Sequence, residues 1–142
     1  MGIGVANIDF SPYKQAMLDK GFSQTEVDAC WADLLVLLQA TEDTGLAYAM
    51  TEGADRALHE LVSDTAGLLR VSAAILGAGR VLAHDPRAYG TPEFDATWEN
   101  TRAAFAKHGV DLPADYRSDR GSFRSAANCL VMPSVVAELQ AA

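Results

Sequence analysis

The stretch Ser23-Gln24-Thr25-Glu26-Val27-Asp28-Ala29-Cys30-Trp31-Ala32-Asp33-Leu34-Leu35-Val36-Leu37-Leu38 opens on a capping box and continues as an apolar helical pattern. Ser23 and Glu26 can satisfy each other's backbone N–H groups, and Phe22 and Val27 stand where a hydrophobic staple would close over them. Val27, Cys30, Trp31, Leu34, Leu35 and Leu38 then follow the i, i+3, i+4, i+7 spacing, with Asp28, Asp33 and Gln39 elsewhere. One wide face of this helix is expected to be buried, with Cys30 on it as a small core hydrophobe.

Helix punctuation recurs on both sides. Upstream, Ser11-Pro12 fits an N-cap followed by proline at the first helical position, and Gly21 fits the stop. Downstream, Glu42-Asp43-Thr44-Gly45 breaks the pattern, and Thr51 can cap a third helix whose Ala54, Leu58 and Leu61 face inward. A fourth runs through Leu68, Val71, Ile75 and Leu76 to Gly77 and Gly79, with Gly67 placed to separate or bend it from the third. Thr91-Pro92-Glu93 opens another, with Phe94, Trp98, Thr101 and Phe105 on one stripe and Gly109 as its stop. Arg80-Val81-Leu82-Ala83-His84-Asp85-Pro86 is short and apolar between breakers, and is either extended or a single helical turn. Residues 114–133 read as a long loop or packed arm before a last short helix from Ser134 to Gln140. The expectation is all-α, a single-domain bundle of five or six helices over residues 1–142.

The chain has 142 residues, 49% of them hydrophobic and 21% charged, which is enough for one core and argues against disorder. A net charge of -8 repels phosphate backbones and anionic lipid, so neither nucleic acid nor membrane is an expected partner. The longest apolar run, Leu34 to Leu38, is far short of the roughly 20 residues of a membrane span. The N-terminal residues lack a basic region and a long apolar run, and two cysteines with no secretory context fit reduced thiols in the cytoplasm.

Asp55 and His59 are four residues apart, so a helix places carboxylate and imidazole on one face, where Asp55 can orient the ring. His84 precedes Asp85-Pro86, and the extended backbone forced before proline can hold a neighbouring side chain toward a cleft. An ordinary helix-surface pair and a turn histidine are the structural alternatives. If His59 and His84 converge, Asp55 or Asp85 completes a two-histidine, one-carboxylate set able to bind zinc or iron. No HExxH or CxxC spacing supports that metal. His59-Glu60 begins like a zincin motif, but position 63 is Ser, which excludes it. His108, beside Lys107 and Gly109, suits a helix C-terminus. The aromatics Trp31, Phe94, Trp98 and Phe105 are at helical spacing and read as core. Phosphate loops, dinucleotide fingerprints and serine-hydrolase elbows are absent from the sequence.

The block from Thr51 to Leu61, followed by Asp64-Thr65, resembles the "S-x-x-V-D-x-x-W-H... T" stretch of the bacterial glycine-rich domain-containing-protein-like family. Gly79 to Pro86 is similar to that family's "G-R-F-x-H-H-x-P", and Trp31-Ala32-Asp33-Leu34-Leu35 to its "W-x-x-F-L" helix. The resemblance covers roughly residues 22–113. It departs at Leu58, where the family has tryptophan, and near Ser72, where the family often has cysteine. It implies that Asp55, His59, His84 and Pro86 belong to one motif.

The function expected from these residues is a small enzyme using acid/base chemistry on a small molecule or modified peptide, by cyclisation, isomerisation or elimination in a biosynthetic pathway. His59 would move the proton, Asp55 would orient it, and His84 would be the second acid/base group or a metal ligand. Arg80, Arg120 or Arg124 would hold substrate anions. No cofactor is called for, with a metal on His59, His84 and Asp85 as the exception. The alternative is a non-catalytic helical binding or regulatory protein, as a homodimer or alone.

Overall fold

The computed structural model describes residues 4–118 and 122–135. Among them are five α-helices, a short 3-10 turn and three β-strands, in the order α1 (Ser11–Asp19), α2 (Gln24–Thr44), β1 (Tyr48–Thr51), α3 (Glu52–Val62), α4 (Thr65–Leu76), β2 (Arg80–Asp85), α5 (Pro92–Ala106) and β3 (Ala126–Val135). The strands form one antiparallel sheet, ordered β1-β3-β2. The all-α helical bundle expected from the sequence is therefore wrong, and the chain is α+β.

The helix starts follow their caps. Ser23 accepts from Glu26 N at 3.1 Å while Glu26 Oε1 accepts from Ser23 N at 3.2 Å, completing the capping box. Gly45 ends α2 in the left-handed region at φ 71°, where a side chain would be strained. Thr51 and Thr91 cap α3 and α5 through bonds from Ala54 N and Phe94 N. Two boundaries differ from expectation. Phe10, not Ser11, is the N-cap of α1, because Asp9 Oδ1 takes the Ser11 N–H. The break between α3 and α4 falls at Asp64, which accepts from Gly67 N at 3.1 Å and caps α4. Gly67 serves packing instead: a Cβ there would collide with Tyr13 Oη, which donates to Asp64 Oδ2 at 2.8 Å.

Helix α2 runs through the core and buries more than one stripe. Val27, Cys30, Leu34 and Leu37 are fully covered and Trp31 and Leu38 nearly so, Trp31 lying against Phe10 at 4.9 Å between ring centres. Asp33, expected off the buried face, is 2% exposed. Arg124 Nε and Nη2 donate to its two oxygens, each at 3.2 Å, which is what makes the buried carboxylate tolerable. Phe94, Trp98 and Phe105 of α5 are buried as their spacing predicts.

The sheet lay hidden in three segments. The undecided Arg80–Asp85 segment is β2, and the second half of the expected loop or arm, with the start of the expected last helix, is β3. Residues 136–140 of that helix lie outside the described residues. Pro133 fits in β3 because β1 pairs only as far as Tyr48↔Val131, so no strand on that side needs its missing N–H. Helical side chains cap both outer strands: Ser72 of α4 accepts from Leu82 N at 3.0 Å, and Thr101 of α5 donates to Ala49 O at 2.7 Å. The first half of the loop is tied down by Tyr116, which is buried against Phe94 and donates to Asp95. Among the described residues no helix is long and apolar enough to cross a membrane.

Candidate functional site

Helix α3 leaves β1 without a linker. Thr51 is both the last residue of the strand and the N-cap of the helix, and is fully buried. The free N–H groups of the first turn are taken by the turn that leads into β3: Glu52 N donates to Ser125 O at 2.9 Å and Gly53 N to Phe123 O at 2.8 Å. Gly53 has to be glycine for this approach, since a Cβ would run into the Phe123 ring. The start of α3 is thereby fixed beside the start of β3.

Between Ala49↔Leu130 and Thr51↔Ala126 the register slips, β1 advancing two residues while β3 advances four. A bulge of this kind re-aims the side chains around it. Ala127, Asn128 and Cys129, which lie within the slip, form one wall of a cavity of about 250 Å³ whose remaining lining is Glu52, Asp55, His59, His84 and Pro86. His84 pairs with Val131, so Cys129, two residues back along β3, is its diagonal neighbour on the same face.

Asp55, His59 and His84 thus meet in one pocket, while Asp85 pairs opposite Leu130 and accepts from Arg87 N at 3.0 Å in a turn. Asp55 uses both oxygens: Oδ2 is 3.4 Å from His59 Nε2, and Oδ1 accepts from Cys129 Sγ at 3.0 Å. His59 is 60% exposed at the rim, whereas the Asp55 side chain is 17% exposed. His84 Nε2 is buried without a hydrogen-bond partner among the described residues. Burial first, then the charge of Asp55 and its hydrogen bond, push the Cys129 thiol far above its ordinary range. It is a neutral donor here, not a free thiolate nucleophile.

Arg80 and Arg124 stand apart from this pocket. Arg80 is exposed at the start of β2, about 13 Å along the strand from His84. Arg124 is engaged with Asp33, its guanidinium also 5.8 Å from the centre of the Phe105 ring. Arg120 lies outside the described residues. Two larger clefts, of about 500 and 380 Å³, flank α1, and His108 lines the first of them. Neither gathers two imidazoles, a carboxylate and a thiol.

Two lining residues, Glu52 and Cys129, were not singled out from the sequence. Glu52 adjoins the recognised pair, but nothing local connects Cys129 with a residue 74 positions earlier. Both cysteines are free thiols. Comparison of the chain with protein-family models, curated proteins and solved structures gives no match.

Proposed function

We propose that the pocket between α3, β2 and β3 is the active site of a small enzyme that moves protons on a small molecule or modified peptide, in a cyclisation, isomerisation or elimination. The observation that carries this reading is the shared cavity: the Asp55–His59 pair and His84 stand on its walls, with room between them for a small functional group. Asp55 Oδ2, 3.4 Å from His59 Nε2, stands where it can orient the imidazole, which would exchange a proton with a ligand. His84 supplies the second acid/base group from β2. Glu52 and Asp55 make the lining acidic and no arginine among the described residues contributes to it, which favours a neutral or cationic substrate over an anionic one. The resemblance that groups Asp55, His59, His84 and Pro86 in one motif agrees with a single site. The cytoplasm, where both thiols stay reduced, is the compartment this reading assigns.

The test is to incubate a cell extract's small molecules and peptides with the protein and with His59→Ala and His84→Ala variants shown to be folded. Chromatography with mass detection should reveal a compound converted by the natural chain and left intact by both variants. Identical profiles for all three proteins would overturn the proposal.

A further inference from the structure

Asp55, His84 and Cys129 come from three different elements, yet each offers a donor atom and these atoms lie within 4.8 Å of one another. In a tetrahedral zinc site, bonds of about 2.0–2.3 Å put neighbouring donors about 3.5 Å apart, so adjustments of about 1 Å bring this set to that spacing. The buried, unpartnered His84 Nε2 is the second observation: a polar atom is rarely left so, and a coordinate bond would satisfy it. We propose that Asp55, His84 and Cys129 bind one zinc-type divalent metal ion, with the fourth position open to the pocket.

The donor chemistry selects this class. A thiolate and an imidazole beside a single carboxylate suit zinc, whereas calcium and magnesium require oxygen-rich sets. On binding, the Cys129 S–H bond breaks, a sulfur–metal bond forms and the proton leaves to solvent, with no change in oxidation state. Thiolate and carboxylate together balance the two positive charges. Asp55 would bind the metal through the oxygen that now accepts from Cys129 and keep His59 on the other, so ligand and base share one carboxylate. His59, paired with Asp55 at the rim, leaves the fourth position to water. The inference deepens the reading of the pocket, with His84 serving as a metal ligand in place of the second acid/base group, and rests on that reading for any catalytic role of the metal. Binding is measured without turnover, so the two fail separately.

The test uses the full chain, stripped with chelator and titrated with cobalt(II), then zinc(II). Expected are one ion per chain, a thiolate-to-cobalt charge-transfer band in the near ultraviolet, and its displacement by zinc. Cys129→Ser should abolish the band, and Cys30→Ser should keep it. His84→Ala and Asp55→Asn should weaken zinc by more than the about 10–100-fold that loss of an outer hydrogen-bond partner costs. Circular dichroism checks each fold; if Cys129→Ser does not fold, the band in the natural chain and in Cys30→Ser assigns the sulfur. Cobalt bound without the band, a band that survives Cys129→Ser, or no stoichiometric uptake by the folded natural chain would each refute the site.

Discussion

Cys129 Sγ donates to Asp55 Oδ1 at 3.0 Å, joining the central strand to the helix that carries the Asp55–His59 pair. The contact holds a carboxylate at the wall of the pocket and keeps its second oxygen for His59. With Cys129 only 3% exposed and its thiol held protonated, the metal-free native protein should resist iodoacetamide at this residue and react once denatured. Peptide mass mapping before and after urea checks this. Stoichiometric alkylation of native Cys129 would contradict the burial described.

His59→Ala should separate chemistry from stability. The residue is largely exposed and its pair with Asp55 is an i,i+4 surface contact, contributing about 0.3–0.5 kcal/mol. Urea unfolding should shift by no more than that while turnover is lost. A destabilisation above about 1 kcal/mol would mean that His59 is structural.

Arg124→Ala should be costly near neutral pH and much less so in acid. Burial raises the Asp33 pKa, and the Arg124 hydrogen bonds and charge lower it by less, so the folded value stays above the ordinary one. Such a group contributes stability below its unfolded pKa and loses it as pH rises through the folded pKa. Removing Arg124 raises the folded value further and leaves a buried carboxylate unpaired. The expected loss at pH 7 is about 2–3 kcal/mol, below the usual range for breaking a buried pair because the Arg124 side chain is half-exposed. At acid pH below the ordinary carboxylate range, where Asp33 binds a proton, the loss should fall to less than half. Equal losses at the two pH values in urea titrations would rule out this account.

Gly53→Ala should disturb the site from the helix start. The new Cβ meets the Phe123 ring, so the turn before β3 must shift, at a cost of about 1–3 kcal/mol. Because that turn sets β3 against α3, cobalt binding and turnover should both weaken while helix content is preserved. A variant with natural stability and natural cobalt affinity would show that the turn adapts freely.

The five helices could be read from the sequence because their signals are local. Ser23, Thr51 and Thr91 act on N–H groups three residues away, and a glycine at Gly45 acts on its own backbone. The strands carried no comparable signal. Tyr48-Ala49-Met50-Thr51 is buried throughout and so does not alternate, and Pro133 makes β3 look like a connection. Asp33 was misplaced for a similar reason, since its partner Arg124 is 91 residues away.

By itself the sequence determined where α2, α3 and α5 begin and where α2 ends, and that Asp55 and His59 share a helix face, because both depend on spacings of three or four residues. The tertiary structure alone decided that His84 meets them, that Cys129 joins them, and that Arg80 and Arg124 stand apart. Those placements depend on strand register and on a two-residue slip in β3, and register is an agreement between segments about 50 and 80 residues apart that neither contains.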